Sequence, residues 1–191
     1  MTVQTYAIAD LAADLRRIAA DVPDEREVLR RVRELAKRAA ASSPGWVEKR
    51  FYTADEEQGF GVHLLHEEPD HSLTIMAVSW LPHRGAPPHD HGTWAVLAGV
   101  DGVERNVLYE RMDDRSRPGY AELRQVTVKD VGDGDVLAMA AGSIHAVSND
   151  SDRTTLSLHV YGRNLQYVRR SKFDLENRTE TPFAVRLEGQ E

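Results

Sequence analysis

Two spacings of apolar residues divide this chain. In the first forty residues they recur every three or four positions, and beyond Trp46 they fall into short runs separated by turn residues. From Ile8 to Ala20, Leu11, Leu15, Ile18 and Ala19 keep a helical period, and Pro23-Asp24 breaks and restarts the chain. A second helix is expected from about Glu25 to Ala41. Val28, Val32, Leu35 and Ala39 form its stripe, while Arg30, Arg31, Arg33, Glu34, Lys37 and Arg38 are solvated or flank it. Ser42-Ser43-Pro44-Gly45 ends that helix. An amphipathic pair of this kind packs on the outside of a sheet domain.

The rest reads as β structure. Strands are expected near Gly61 to His66, Ser72 to Leu81, Trp94 to Val100, Glu104 to Arg111, Ala121 to Lys129, Asp135 to Met139, His145 to Ser148 and Thr154 to Tyr161. Turns are marked by Glu68-Pro69-Asp70, Asp101-Gly102, Arg117-Pro118-Gly119 and Asn149-Asp150-Ser151-Asp152. Eight strands are what a double-sheet jelly roll requires, so the expected fold is mainly β, a jelly-roll barrel with the helical pair packed outside. We expect one domain over 1–191, with helices in 1–43, the barrel in 46–168 and a tail in 169–191 packing on the barrel. The tail holds Phe173, Phe183 and Val185 but no firm periodicity.

Composition narrows the function. A chain of 191 residues suits one domain with a substantial core. Lys and Arg number 24 against 31 Asp and Glu, a net charge of −7, which argues against nucleic acid or anionic membrane as partner. No apolar run approaches a membrane span, and the start Met1-Thr2-Val3-Gln4 lacks the parts of a secretory signal, so a cytoplasmic location is expected. With no cysteine, any metal must be held by histidine, carboxylate or carbonyl groups, which directs attention to the eight histidines.

In Pro87-Pro88-His89-Asp90-His91-Gly92-Thr93-Trp94, an extended chain projects His89 and His91 to one side and Asp90 to the other. Two nitrogen ligands can then reach one ion. The stretch Gly134 to Asn149, which contains His145, is the best source of a third. The strand Thr154 to Tyr161 places Ser157, His159 and Tyr161 on one face and Leu156, Leu158 and Val160 on the other. An inward polar triplet is costly unless its members bond one another or a ligand.

These segments resemble the paired motifs of the cupin superfamily: Gly102 follows the H-x-H, and Gly134, Gly142, His145 and Asn149 keep the family spacing, with Ala140 in place of a proline. Ala95 stands where most cupins place a glutamate ligand, which points to the cupins with three histidines. H-D-H-G-x-W at His89 to Trp94, G-x-x-H at Gly142 to His145 and S-x-H-x-Y at Ser157 to Tyr161 sharpen the resemblance to the thiol dioxygenases, the cysteine and 3-mercaptopropionate dioxygenase family. It covers about Phe51 to Arg170.

That resemblance implies a non-haem Fe(II) held by His89, His91 and His145, with Ser157, His159 and Tyr161 as an outer network in which Tyr161 donates, His159 orients it and Ser157 anchors. It implies oxidation of a small thiol by O2 to a sulfinic acid. Two departures bear on the substrate. Animal-type cysteine dioxygenases link a cysteine to the tyrosine, impossible here, and use an arginine after a Tyr-Thr pair, where Tyr52-Thr53 is followed by Ala54. Arg170 lies where the 3-mercaptopropionate branch carries an arginine, and a guanidinium fits a carboxylate bidentately. The expected substrate-binding residues are Arg170 and Trp94, Trp94 as a wall of the pocket or part of the core. The expected partners are a thiol and O2 for a monomer or small homo-oligomer. A metal-binding sensor or a cupin enzyme of another reaction class is the alternative, because a fold does not fix a function.

Overall fold

The computed structural model describes residues 6–188; the start of the chain and its last three residues lie outside the described residues. Two helices come first, α1 (Ile8–Asp21) and α2 (Glu25–Ala41). Asp24 caps α2, its carboxylate accepting from the Glu27 backbone N–H at 2.9 Å and satisfying one of the free donors of the first turn. The buried stripe of α2 is Val28, Val32, Ala36, Ala39 and Ala40, with Leu35 only partly buried. The stripe is thus rotated toward small residues, which let the helix lie close to the sheet.

Eleven strands follow: β1 (Phe60–Glu67), β2 (Thr74–Trp80), β3 (Gly85–His89), β4 (Ala95–Asp101), β5 (Glu104–Arg111), β6 (Leu123–Val131), β7 (Val136–Met139), β8 (Ile144–Ser148), β9 (Thr155–Tyr161), β10 (Ser171–Asp174) and β11 (Thr179–Pro182). One sheet has the order β1-β2-β9-β4-β7 and the other β11-β10-β3-β8-β5-β6, with antiparallel pairing between neighbours in both. The two sheets form the expected double-sheet jelly-roll barrel, with the helical pair packed outside it.

Three strands, β3, β10 and β11, have no counterpart in the sequence-based expectation. Pro87 and Pro88 hide β3, since proline cannot donate to a ladder. Both lie where the pairing of β3 with β8 shifts register, between Ala86 and His89, so no ladder N–H is missed there. The four-residue strands β10 and β11 are too short for periodicity to register.

The first sheet is buried on both faces. Leu158 and Val160 of β9 pack in one cluster with residues of α1 and α2. The opposite face looks into the barrel, where Val62, Met76, Val78, Leu97 and Tyr161 form a second cluster with Val147 of the other sheet and Leu187 of the tail. At about 25 cal/mol per Å², burying each of these large side chains contributes about 1.5–3 kcal/mol. The candidate site opens off this second cluster.

Candidate metal centre

His89 is the last residue of β3 and pairs with His145 of β8 across the ladder. Asp90 turns away from both: its N–H donates to the Ser171 carbonyl at 3.0 Å, and its carboxylate accepts from the Ser171 N–H at 2.9 Å. That pair of hydrogen bonds to the start of β10 leaves the flanking imidazoles pointing into the barrel. His89, His91 and His145 are 5%, 3% and 1% exposed, and each offers a ring nitrogen within 4.8 Å of the other two.

The hydrogen bonds choose the tautomers. His145 Nδ1 lies 2.7 Å from Asn106 Oδ1 and His89 Nδ1 lies 2.8 Å from the Pro87 carbonyl. Both partners are acceptors, so both Nδ1 atoms carry the proton and both Nε2 atoms present lone pairs to the barrel. His145 Nε2 and His91 Nε2 are 3.2 Å apart. Metal–nitrogen bonds of about 2 Å place neighbouring ligand nitrogens about 3 Å apart, so this spacing fits a shared ion. Burial holds His89 down at about 4, against 6.5 for an ordinary histidine, and pushes His91 and His145 well below that value. Neutral, convergent imidazoles, two of them held by outer acceptors, suit a metal ligand set. The triad could therefore bind a metal, and its all-nitrogen donors are compatible with Zn, Fe, Cu or Ni.

Behind the triad lies a buried polar network. Ser157, His159 and Tyr161 face the barrel together on β9. Ser157 Oγ is 2.9 Å from His159 Nε2, and His159 Nδ1 is 2.8 Å from the Tyr161 hydroxyl. Tyr161 is 4% exposed, its ring centroid is 5.2 Å from that of His91, and burial raises its phenol above the ordinary range. The network has a further member that the periodicity did not disclose. Glu104 on β5 is 2% exposed, and its Oε2 accepts from Trp80 Nε1 at 2.9 Å, from His159 Nε2 at 3.0 Å and from the Ser157 hydroxyl. Its Oε1 accepts from Asn106 Nδ2 at 3.1 Å. Burial by itself would raise this carboxyl, but the adjacent His159 and the hydrogen bonds from His159 and Ser157 outweigh it and hold it at about 2. Glu104 and Asn106 stand at i and i+2, the inward spacing already used for β9. Arg105 and Glu110 make the rest of β5 polar as well, so alternation alone could not separate its inner face from its outer one.

The triad and Tyr161 line a cavity of about 290 Å³ whose other walls are mainly apolar, among them Phe60, Met76, Val147, Leu165, Phe183 and Val185. The tail therefore helps to close the site. Arg170 also lines it, 9% exposed, with its guanidinium 4.8 Å over the Phe183 ring and its buried Nε without a hydrogen-bond partner. Burial lowers the pKa of this guanidinium.

Trp94 does not line this cavity; of its two expected placements, pocket wall or core, the structure gives the second, packed against the cluster beneath the helices. It lines a separate cleft with Leu15, Ile18, Val28 and Gly162, between the helices and the barrel. Its position just before β4 turns its side chain to the helix-facing side of the sheet, and a Cβ at Gly162 would lie 2.3 Å from its Nε1. His63 is buried with Nε2 3.0 Å from the Thr53 carbonyl and packs against Phe51. His66 and His71 meet Glu68 and Glu67 outside the cavity, and His83 meets Asp152 at the surface.

No family profile matches this chain. Among solved structures it aligns with an oxalate oxidase in complex with the substrate analogue glycolate (16% identity, TM-score 0.48, covering 65% of this chain and 61% of that one). It also aligns with an uncharacterised conserved protein with a double-stranded β-helix domain from Klebsiella pneumoniae (11%, TM-score 0.47, 68% and 96%) and with the DMSP lyase DddQ from Ruegeria pomeroyi DSS-3 (17%, TM-score 0.43, 69% and 64%). The alignment spans about three fifths of the oxalate oxidase chains. None of these neighbours is a thiol dioxygenase. Among the described residues no helix is long and apolar enough to cross a membrane.

Proposed function

We propose that this protein is a non-haem Fe(II) thiol dioxygenase acting on a small thiol acid, 3-mercaptopropionate or cysteine, to give the sulfinic acid. The reading rests on one juxtaposition: a three-imidazole ligand set and a buried guanidinium with an unpartnered Nε open on the same cavity. A buried cation left without its full set of acceptors is costly, and a substrate carboxylate would satisfy it. Arg170 would then hold the acid end of the substrate and leave the thiol end to the triad. The reaction balances without another reductant, since RSH and O2 together make RSO2H.

In this reading His89, His91 and His145 hold the iron, which when bound would give the thiol sulfur and O2 a common centre. The apolar walls exclude water, strengthening every polar contact inside. Tyr161 presents its hydroxyl to the reacting end of the cavity. For that hydroxyl to donate inward, His159 must carry protons on both nitrogens, with Glu104 as counter-charge; His159 then donates from Nδ1 to the phenol oxygen and from Nε2 to the carboxylate. Ser157 anchors the ring at Nε2.

An oxygen electrode provides the test. Fe(II)-loaded protein is supplied with 3-mercaptopropionate, cysteine and related thiols, and O2 uptake is followed with sulfinate formation. Uptake matched one to one by sulfinate is expected. Absence of thiol-dependent uptake by fully iron-loaded protein would replace this reading with that of a metal-binding sensor.

A further inference from the structure

Glu104 is buried, does not line the cavity and bonds no histidine of the triad, yet hydrogen bonds lead from it to both halves of the site. It is the junction of two chains of hydrogen bonds. One runs from Oε1 through Asn106 to His145 Nδ1; the other runs from Oε2 to Ser157 and to His159, and from His159 to the Tyr161 hydroxyl. Because a carboxylate only accepts, it fixes the direction of every bond around it. Asn106 must turn its NH2 to Glu104, which leaves its carbonyl oxygen for His145 and keeps the His145 proton on Nδ1. The Asn106 Nδ2 bond to the Glu104 backbone carbonyl at 3.2 Å adds to the same orientation.

We propose that Glu104 is the positioning residue of this centre, setting through Asn106 the tautomer that lets His145 serve as a metal ligand, while the same carboxylate holds His159 and Tyr161 at the cavity wall. The proposal rests on the reading of the three histidines as a metal site.

The test exploits hydrogen-bond direction. In Glu104→Gln, nearly the same shape, the amide oxygen belongs at the Oε2 position, where Trp80, Ser157 and His159 all donate, so its NH2 faces Asn106. Asn106 then flips to accept, points its own NH2 at His145 Nδ1 and drives the proton to Nε2, into the metal position. Replacement of such outer partners typically costs about 10–100-fold in metal affinity, and a loss of that size is expected here. The double variant E104Q/N106D restores the direction of both bonds, because the carboxylate introduced at position 106 accepts from the new amide at position 104 on one oxygen and from His145 on the other. Its affinity should return to within a few fold of wild type.

Affinity is read by titrating Co(II) against a chromophoric chelator, with circular dichroism as the folding control, and the tautomer by imidazole ¹H–¹⁵N correlation spectra of the metal-free protein. Wild-type affinity in E104Q, or an E104Q/N106D variant as weak as E104Q, overturns the proposal. So does a His145 proton found on Nε2 in the wild type, a measurement needing no variant. Failure of wild-type protein with the Nδ1 tautomer to bind Co(II) would instead remove the metal-site reading and leave the Glu104–Asn106–His145 geometry standing.

Discussion

If the cavity takes a thiol acid as proposed, Arg170 is the side chain that would select an acid over a neutral thiol. Replacing it with alanine removes a charge-assisted pair worth about 1.5–3 kcal/mol, so KM for 3-mercaptopropionate should rise about 10- to 100-fold while the bound metal is retained. Lysine at that position should recover only part of the loss, because an ammonium lacks the planar fork. Steady-state kinetics of both variants against an acid and a neutral thiol check this; equal effects on the two substrates would detach Arg170 from the carboxylate. Tyr161→Phe should keep the metal and lower kcat by about 10- to 100-fold, since only the hydroxyl is lost from a ring otherwise packed in the core. At this scale His89, His91, His145, Ser157, His159 and Tyr161 were legible from spacing and resemblance. Glu104 and Asn106 were not, because β5 is polar on both faces, and Trp94 follows an H-x-H yet points to the opposite side of the sheet.

For the elements, the register of β3 against β8 matters most, since it sets His89 opposite His145. Gly85 lets the two backbones approach: a Cβ there would sit 1.9 Å from the Val147 carbonyl oxygen. Gly85→Ala must therefore push the strands apart at one end of the ladder that carries two of the three imidazoles, and we expect loss of metal affinity together with thermal stability. Leu158→Ala offers the contrast. That side chain is fully buried on the helix-facing side of β9, so truncation should cost about 2–5 kcal/mol of stability and leave metal affinity nearly unchanged. Denaturant unfolding and metal titration of the pair separate the two faces of one barrel; a strong metal defect in L158A would show that the faces are not independent.

Over the whole molecule, the buried network links stability to pH. Glu104 has a folded value of about 2 against an ordinary 4.5, so between those limits the unfolded chain binds more protons than the folded one. Its contribution is complete above about pH 4.5 and is lost as the pH falls toward 2. In E104Q the slope of unfolding free energy against pH should be shallower across that window than in wild type, measured by urea denaturation at a series of pH values. An unchanged slope would mean that folding does not lower the pKa of Glu104. The cavity is likewise a property of distant parts of the chain, because Phe183 and Val185 of the tail and Leu165 of the segment after β9 wall a site whose three histidines sit on β3, β8 and the turn between β3 and β4.

The sequence by itself determined the helical pair, the eight longer or clearly bounded strands and which side of β9 is polar, because those depend on spacing between near neighbours. Tertiary structure alone decided that a proline-bearing segment could complete a sheet, that Phe183 and Val185 of the tail would wall the cavity, and that Glu104 would face His159 from another strand. Those outcomes depend on pairings between residues far apart in the chain, and local periodicity carries no record of which strand a buried carboxylate will meet.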